Sequence, residues 1–483
     1  MIRSVRRLSL LLGVLLVALL VNLTVVQVLQ ATDLRARSGN QRVLLEEYDR
    51  ERGPILVGNE PVARSVETTD NLRYLRRYPA GPIYAPATGF YSIVYGATGL
   101  ERTENAVLSG SSDLFFVDRL EQLFAGRQPQ GGAVTLTLDA AAQQAAWQGL
   151  QGKRGAVAAI DPTTGAILAL VSTPSFDPNA LSSHDPAAIR AAYDALQADP
   201  AQPMLNRPLV ALNPPGSTFK LVVAAAALQS GRFTPDSVLP GPATYPLPGS
   251  TRSLNNWTGS ACGPNNQVTL REALAVSCNT AFAWLGNQLG DDAIRAQAQA
   301  FGFDESMEVP LRAAASRFPA DPDAAQTAMS AIGQFDVRAT ALQMAMVASG
   351  AANNGVTMKP YLVKEVRGPD LAVLSTAKPE QFATSMTAQN AASLVSMMVS
   401  VVDSGTGSNA RIPGVSVGGK TGTAQTGNDN PAVAWFVALA PSTNAKVAVA
   451  VVVEDAGETE VSGNRLAAPI ARSVIQAVLR SRG

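Results

Sequence analysis

Histidine is almost absent from this chain. Its 483 residues hold one, His184 in "LSSHDPAA". A His-rich metal site is excluded, because such sites draw on several imidazoles or thiolates. A Ser-His-Asp mechanism would rest on His184 alone, and its neighbours read as a solvated loop. No metal and no cofactor is expected. Cysteine is scarce too: Cys262 and Cys278 are the only two. Lysine occurs seven times, at Lys153, Lys220, Lys359, Lys364, Lys378, Lys420 and Lys446. Net charge is missing, with Lys+Arg and Asp+Glu both 38. A nucleic-acid binder would show a basic excess, so no such partner is expected. If a serine is a nucleophile here, a lysine is the natural base.

What is present is apolar. The composition is 46% hydrophobic and 16% charged, enough for a sizeable core. The length implies two or three domains. "MIRSVRR" carries three arginines and no acid, and Leu8 to Leu29 follow without a charge. A helix of about 20 apolar residues crosses a bilayer. The arginines belong on the cytoplasmic side, so the chain beyond about residue 30 lies outside the membrane. There a Cys262–Cys278 bridge is permitted. It would close a loop of roughly 15 residues and contribute about 3 kcal/mol. Two buried thiols are the alternative.

"RGPILVGNEPVARSV" reads as two strands around a Gly58-Asn59 turn. The stretch to about Gln130, including "YPAGPIYAPATGFYSIVYGATGLE", reads as turns and short strands, a β-rich pedestal. "GGAVTLTLDAAAQQAAWQGLQG" then turns from strand to amphipathic helix. "KRGAVAAIDPTTGAILALVS" is a hairpin around Asp161 to Gly165. Helical segments follow. "VSVGGKTGTAQT", "AVAWFVALAP" and "KVAVAVVVED" read as three successive strands, and "APIARSVIQAVLRS" as a closing helix. Strands at both ends with helices between them imply an α+β domain.

Three motifs carry chemistry. In "PPGSTFK" a Pro-Pro-Gly turn opens a helix, so Ser217 sits in its first turn and Lys220 lies on the same face. A serine needs a base to become a nucleophile, and a buried lysine with neighbouring cations can be one. Spacing alone also fits a plain helix start. Ser375 to Lys378 repeats it after a strand and stops at Pro379, so that copy is accidental. In "TLREALAVSCNTAF", Thr269 and Glu272 form a capping box for one helix, which ends near Ser277-Cys278-Asn279. Ser277 could relay a proton and Asn279 hold a carbonyl, or both could serve a turn. In "VSVGGKTGTAQT", Lys420 offers a cation, Thr421 and Thr423 offer hydroxyls for a carboxylate, and Gly422 allows close approach. The N–H groups of Thr423 and Ser217 could form an oxyanion hole. A protective edge lysine is the plainer alternative.

In this order S-x-x-K, S-D-N and K-T-G are the signature of class A β-lactamases and penicillin-binding proteins. The chain departs from it once, with S-C-N in the middle. With its short anchor, "RGPIL" hairpin and "YAPATGFYS" module it resembles class B penicillin-binding proteins. "TGAILALVSTPSFDPN" and "SCNTAF" resemble the penicillin-binding protein A branch. The resemblance implies an α+β fold of penicillin-binding/β-lactamase type, with an antiparallel sheet packed with helices and an all-helical subdomain. It implies a tail over 1–7, an anchor over 8–29, a β-rich dimerisation-type pedestal over 30–130 and a transpeptidase domain over 131–483.

The implied activity is a peptidoglycan D,D-transpeptidase that cross-links stem peptides ending in D-Ala-D-Ala and is acylated by β-lactams. Ser217 would be acylated and Lys220 its base. Ser277 would pass protons between Lys220, Lys420 and the leaving amine, and Asn279 would hold the substrate's peptide group. Lys420, Thr421 and Thr423 would bind the terminal carboxylate. A separate membrane glycan polymerase is an implied partner, since no sugar-polymerising motif precedes residue 131. The alternatives are a β-lactamase, a D,D-carboxypeptidase that uses water, and a non-catalytic β-lactam-binding scaffold or sensor.

Overall fold

The computed structural model describes residues 2–30, 48–70, 72–115, 130–425, 432–457 and 461–482. Helix α1 (Ile2–Thr24) opens the chain and runs on through one wider turn to Leu29. Val5–Gln27 is long and apolar enough to cross a membrane, and none of that stretch is buried against the rest of the protein.

Strands β1 (Ile55–Val57) and β2 (Glu60–Glu67) form the expected hairpin. β3 (Tyr74–Arg77) extends it. The next stretch differs from the turn-rich expectation, because Gly81–Thr88 is a helix, α2. Its prolines disguised it. Pro82 suits a first turn, while Pro86 gives up a helical hydrogen bond. Burial of Tyr84, Ala85 and Ala87 offsets that loss. Residues 116–129 of the same stretch lie outside the described residues.

β4 (Ala133–Leu136) pairs in parallel with β1. Helix α3 (Ala140–Leu150) follows, with Asp139 accepting from Ala142 N–H at its start. β5 (Arg154–Ile160) and β6 (Ile167–Thr173) are the hairpin read from the sequence. Asp161 accepts from the N–H and hydroxyl of Thr163 to close its turn. The helices that follow include α4 (Lys220–Gln229), α5 (Leu270–Ala275), α6 (Asn279–Leu289) and α7 (Ala341–Ala352). β7 (Val363–Arg367) and β8 (Val373–Thr376) return to β4, so a six-stranded sheet runs β8-β7-β4-β1-β2-β3. The accidental Ser375 to Lys378 copy sits here, beginning on exposed β8. Helix α8 (Ala388–Asp403), strands β9 (Gly418–Ala424), β10 (Val433–Ala440) and β11 (Val447–Asp455), and helix α9 (Ala468–Arg482) complete the chain.

The second sheet runs β9-β10-β11-β5-β6, antiparallel throughout. Side chains alternate across a strand, so one face of each strand meets one helical layer. On β10, Val433, Trp435, Val437 and Leu439 join the core with α4, α7 and α8. Ala434, Phe436, Ala438 and Ala440 join the core with α3 and α9. Both faces are covered, which is why these strands read as unbroken apolar runs. α4 is buried on all sides from Lys220 to Leu228, so its one charged residue lies inside the core.

The pedestal has its own buried charge cluster. Glu101 accepts from Arg52 Nε at 2.6 Å, Arg76 Nε at 2.7 Å and the Tyr78 hydroxyl at 3.1 Å. The two guanidinium groups hold its carboxyl below the usual carboxylate range despite burial. Glu101→Gln would strand two buried cations. It is expected to cost about 3–5 kcal/mol, read as a lower urea midpoint. An unchanged midpoint would contradict this account.

Candidate active site

His184 is not the solvated loop residue that its neighbours suggest. Its ring bonds Asp70 at 2.7 Å, meets the Tyr74 carbonyl at 3.2 Å and packs edge-on against Tyr48. It ties the β2–β3 loop to the segment after β6 and stands apart from the three motifs.

Ser217 sits in a tight 3-10 turn, Gly216–Phe219, that leads directly into α4. Three elements clamp the Pro-Pro-Gly lead-in. Trp435 Nε1 on β10 donates to the Pro214 carbonyl at 3.0 Å. Gly216 N–H donates to the Gly333 carbonyl at 3.0 Å. Asn213 exchanges backbone bonds with Ala339 and donates its amide to Glu454 at 2.9 Å. Gly216 has φ +53, and a Cβ there would lie 2.8 Å from the Thr423 carbonyl oxygen. The turn that bears Ser217 therefore rests on the outer edge of β9. Ser217 is half-buried.

Lys220 is fully buried one turn on. Its Nζ donates to the Ser277 carbonyl and to Asn279 Oδ1, both at 2.8 Å, and lies 3.4 Å from Ser277 Oγ. Burial first, and the charge of Lys420 second, push Lys220 well below the ordinary lysine range.

Ser277 lies between α5 and α6, where the capping box of Thr269 and Glu272 starts α5 as expected. Its φ is +59, rare for a residue with a Cβ and worth about 1–3 kcal/mol of strain. In that conformation its carbonyl meets Lys220 and its hydroxyl meets Lys420. Cys278 is bonded to Cys262, so the loop is tethered covalently. Of the two alternatives for these cysteines, the structure has the bridge.

Lys420 is on β9, an edge strand, yet it is fully buried and is no solvated guard. Its Nζ donates to Ser277 Oγ and the Thr421 carbonyl, both at 2.9 Å. Burial lowers it to about 7. Thr421 Oγ1 shares a 2.7 Å hydrogen bond with Thr406 Oγ1, while Thr423 is exposed. Gly422 is needed for close packing: a Cβ would meet the Pro215 carbonyl oxygen at 2.9 Å and Trp435 Cβ at 3.0 Å.

Residues 57 to 143 apart in sequence thus form one hydrogen-bonded group. Three members escaped the sequence reading. Thr406 supports Thr421, and Asn255 and Asn256 hold Asn279. Thr406 and Asn256 lie in polar loops and Asn255 ends a three-residue strand, Ser253–Asn255, all too short for a periodic signal, so only their contacts reveal them.

The model for the penicillin binding protein transpeptidase domain matches residues 155–476, and the model for the penicillin binding protein A dimerisation domain matches 52–134. The chain belongs to the penicillin-binding protein transpeptidase family. It is 49% identical to the peptidoglycan D,D-transpeptidase PbpA of Mycolicibacterium smegmatis, and the match covers 99% of each chain. It is 47% identical to PbpA of Mycobacterium tuberculosis, again over 99% of each chain. Penicillin-binding protein A from M. tuberculosis, solved as a ceftriaxone acyl-enzyme complex, is similar in fold with a TM-score of 0.88. That similarity spans 90% of this chain and 100% of the solved one, at 46% identity. The penicillin-binding transpeptidase fold and its β-rich N-terminal module are those the sequence motifs implied.

Proposed function

We propose that this chain is a peptidoglycan D,D-transpeptidase that cross-links stem peptides through a Ser217 acyl-enzyme and is acylated by β-lactams. The observation that carries this reading is the buried Lys220–Ser277–Lys420 chain one turn from Ser217. A neutral amine has two hydrogens and one lone pair. Lys220 spends two hydrogens on acceptors that cannot donate back, the Ser277 carbonyl and Asn279 Oδ1. Its lone pair is left for a hydroxyl proton.

Ser217 Oγ attacks the carbonyl carbon of the penultimate D-Ala and gives its proton to Lys220. The oxyanion falls to the N–H groups of Ser217 and Thr423, whose backbones the Gly216 contact brings together. The C–N bond to the terminal D-Ala breaks. Ser277 passes its proton to the leaving amine and takes the one held by Lys220 in return, with Lys420 hydrogen-bonded to its hydroxyl. Lys420, Thr421 and Thr423 take the terminal carboxylate, for which the exposed Thr423 hydroxyl is open. Asn279 has one amide hydrogen left, beyond the one on the Asn255 carbonyl, for the substrate's peptide group. The amine of a second stem peptide then attacks the ester and gives up its proton through Ser277 to Lys220, which returns a proton to the departing Ser217 Oγ, so the cross-link forms and Ser217 is free.

The arginines before the apolar helix, and the bridge, which suits an oxidising compartment, support a catalytic domain on the outer side of the membrane. The transpeptidase domain over 131–483 would face outward on its pedestal over 30–130. A membrane glycan polymerase would supply the strands, as the class B resemblance implies. The test is to give the full chain in detergent a D-Ala-D-Ala stem peptide and an amine acceptor. The expected result is a cross-linked product with release of D-Ala. Release with hydrolysis alone would make it a carboxypeptidase. No release would overturn both.

A further inference from the structure

We propose that Asn256 is a positioning residue for acylation, fixing the backbone of Asn279 and so aiming the Asn279 amide oxygen at Lys220. The inference rests on the reading of the site given above. Helix α6 begins at Asn279 with Cys278 before it, and no side chain of its own caps it. Its first N–H groups need acceptors. Asn256, from a separate loop, supplies one: its Oδ1 accepts from the N–H of Asn279 at 3.0 Å and of Thr280 at 3.1 Å.

The other end of the same side chain is also committed. Asn256 Nδ2 donates to the carbonyls of Pro242 and Ser260, both at 2.9 Å. All of its hydrogen-bonding capacity is used, and it is 5% exposed. It therefore acts on the site through Asn279 rather than on a ligand. The neighbouring Asn255 carbonyl accepts from Asn279 Nδ2 at 3.1 Å. That contact turns the Asn279 amide so that Oδ1, not Nδ2, faces Lys220 at 2.8 Å.

Two further contacts stitch this loop to the strained Ser277 turn. Trp257 Nε1 donates to the Val276 carbonyl at 3.4 Å, and Cys262 is bonded to Cys278. Asn256 is the one whose contacts fall on the backbone of Asn279 itself. A small displacement there moves an acceptor of Lys220, and misplacement of about 1 Å costs on the order of a hundredfold in rate.

The experiment measures second-order acylation of the full chain by benzylpenicillin across pH. It uses wild type, Asn256→Ala, Asn279→Ala and the double variant, with a thiol count to establish that the bridge stays closed. Asn256→Ala is expected to slow acylation about ten- to hundredfold. The double variant is expected to be no slower than Asn279→Ala, because residues acting as one unit are not additive. A wild-type rate for Asn256→Ala, or losses that multiply in the double, would overturn the proposal.

Should Asn256→Ala not fold, Asn256→Gln keeps both the amide acceptor and the amide donors but sets them one methylene farther from the backbone, so the N–H groups of Asn279 and Thr280 and the carbonyls of Pro242 and Ser260 cannot all be matched. It is expected to slow acylation about tenfold. A wild-type rate for Asn256→Gln overturns the proposal. A wild type that takes no adduct on Ser217 overturns the reading of the site, and the proposal with it.

Discussion

Ser217→Ala is expected to abolish the covalent benzylpenicillin adduct. The loss should be at least about 10⁴-fold in acylation rate, the scale on which removal of an activated serine is felt. Among the described residues the Ser217 side chain makes no hydrogen bond, and it is half-buried at the edge of β9. Its removal should therefore leave the thermal midpoint nearly unchanged. Intact mass followed over hours, with peptide mapping, reads both the presence and the site of the adduct. A lasting adduct on Ser217 that the variant lacks supports the transpeptidase reading. A transient adduct with drug consumption would point to a β-lactamase. An adduct that survives Ser217→Ala would remove Ser217 from its role.

Acylation should follow a bell-shaped pH profile, and Lys220→Ala should flatten its acid limb while costing about 10²–10⁴-fold in rate. The signs follow from the two lysines. Burial and the charge of Lys420 push Lys220 well below its ordinary range, so raising the pH frees its lone pair early and the rate climbs. Burial brings Lys420 to about 7. Above that pH Lys420 is neutral, the attraction for a carboxylate falls, and the rate declines. The free-protein profile, taken by stopped-flow with a chromogenic β-lactam, should thus turn downward near pH 7. At saturating ligand the downward limb should move to higher pH, because a bound carboxylate favours the Lys420 ammonium. A profile that is flat from pH 5 to 9 would contradict both assignments.

Two lysines sharing one serine hydroxyl give the site its logic. Neither is exposed, and each lies within 3.5 Å of Ser277 Oγ. Two ammonium groups so close are unfavourable, so one releases its proton at a pH where a solvated lysine would not. The strain at Ser277 is held by the same contacts. The Cys262–Cys278 bridge and Asn256 hold that loop from behind.

The sequence by itself determined the local events. The Pro-Pro-Gly stop before Ser217, the Thr269/Glu272 capping box, the Asp161 to Gly165 hairpin and the three apolar strands near the end stood where their chemistry put them. Each is encoded within a few residues, by turn propensity, capping or apolar period. The three motifs were legible by spacing and order.

Tertiary structure decided the rest. Helix α2 was hidden by its prolines and exists because Tyr84, Ala85 and Ala87 are buried. His184 sits among loop residues yet is bound to Asp70 across 114 positions. Thr406 and Asn256 carry no local signal, and their roles come from partners brought near by packing. The lysines are ordinary in sequence. Their lowered proton affinity arises only when helices and a sheet exclude water and set one cation beside another, because desolvation and Coulomb energy depend on distance in space and not along the chain.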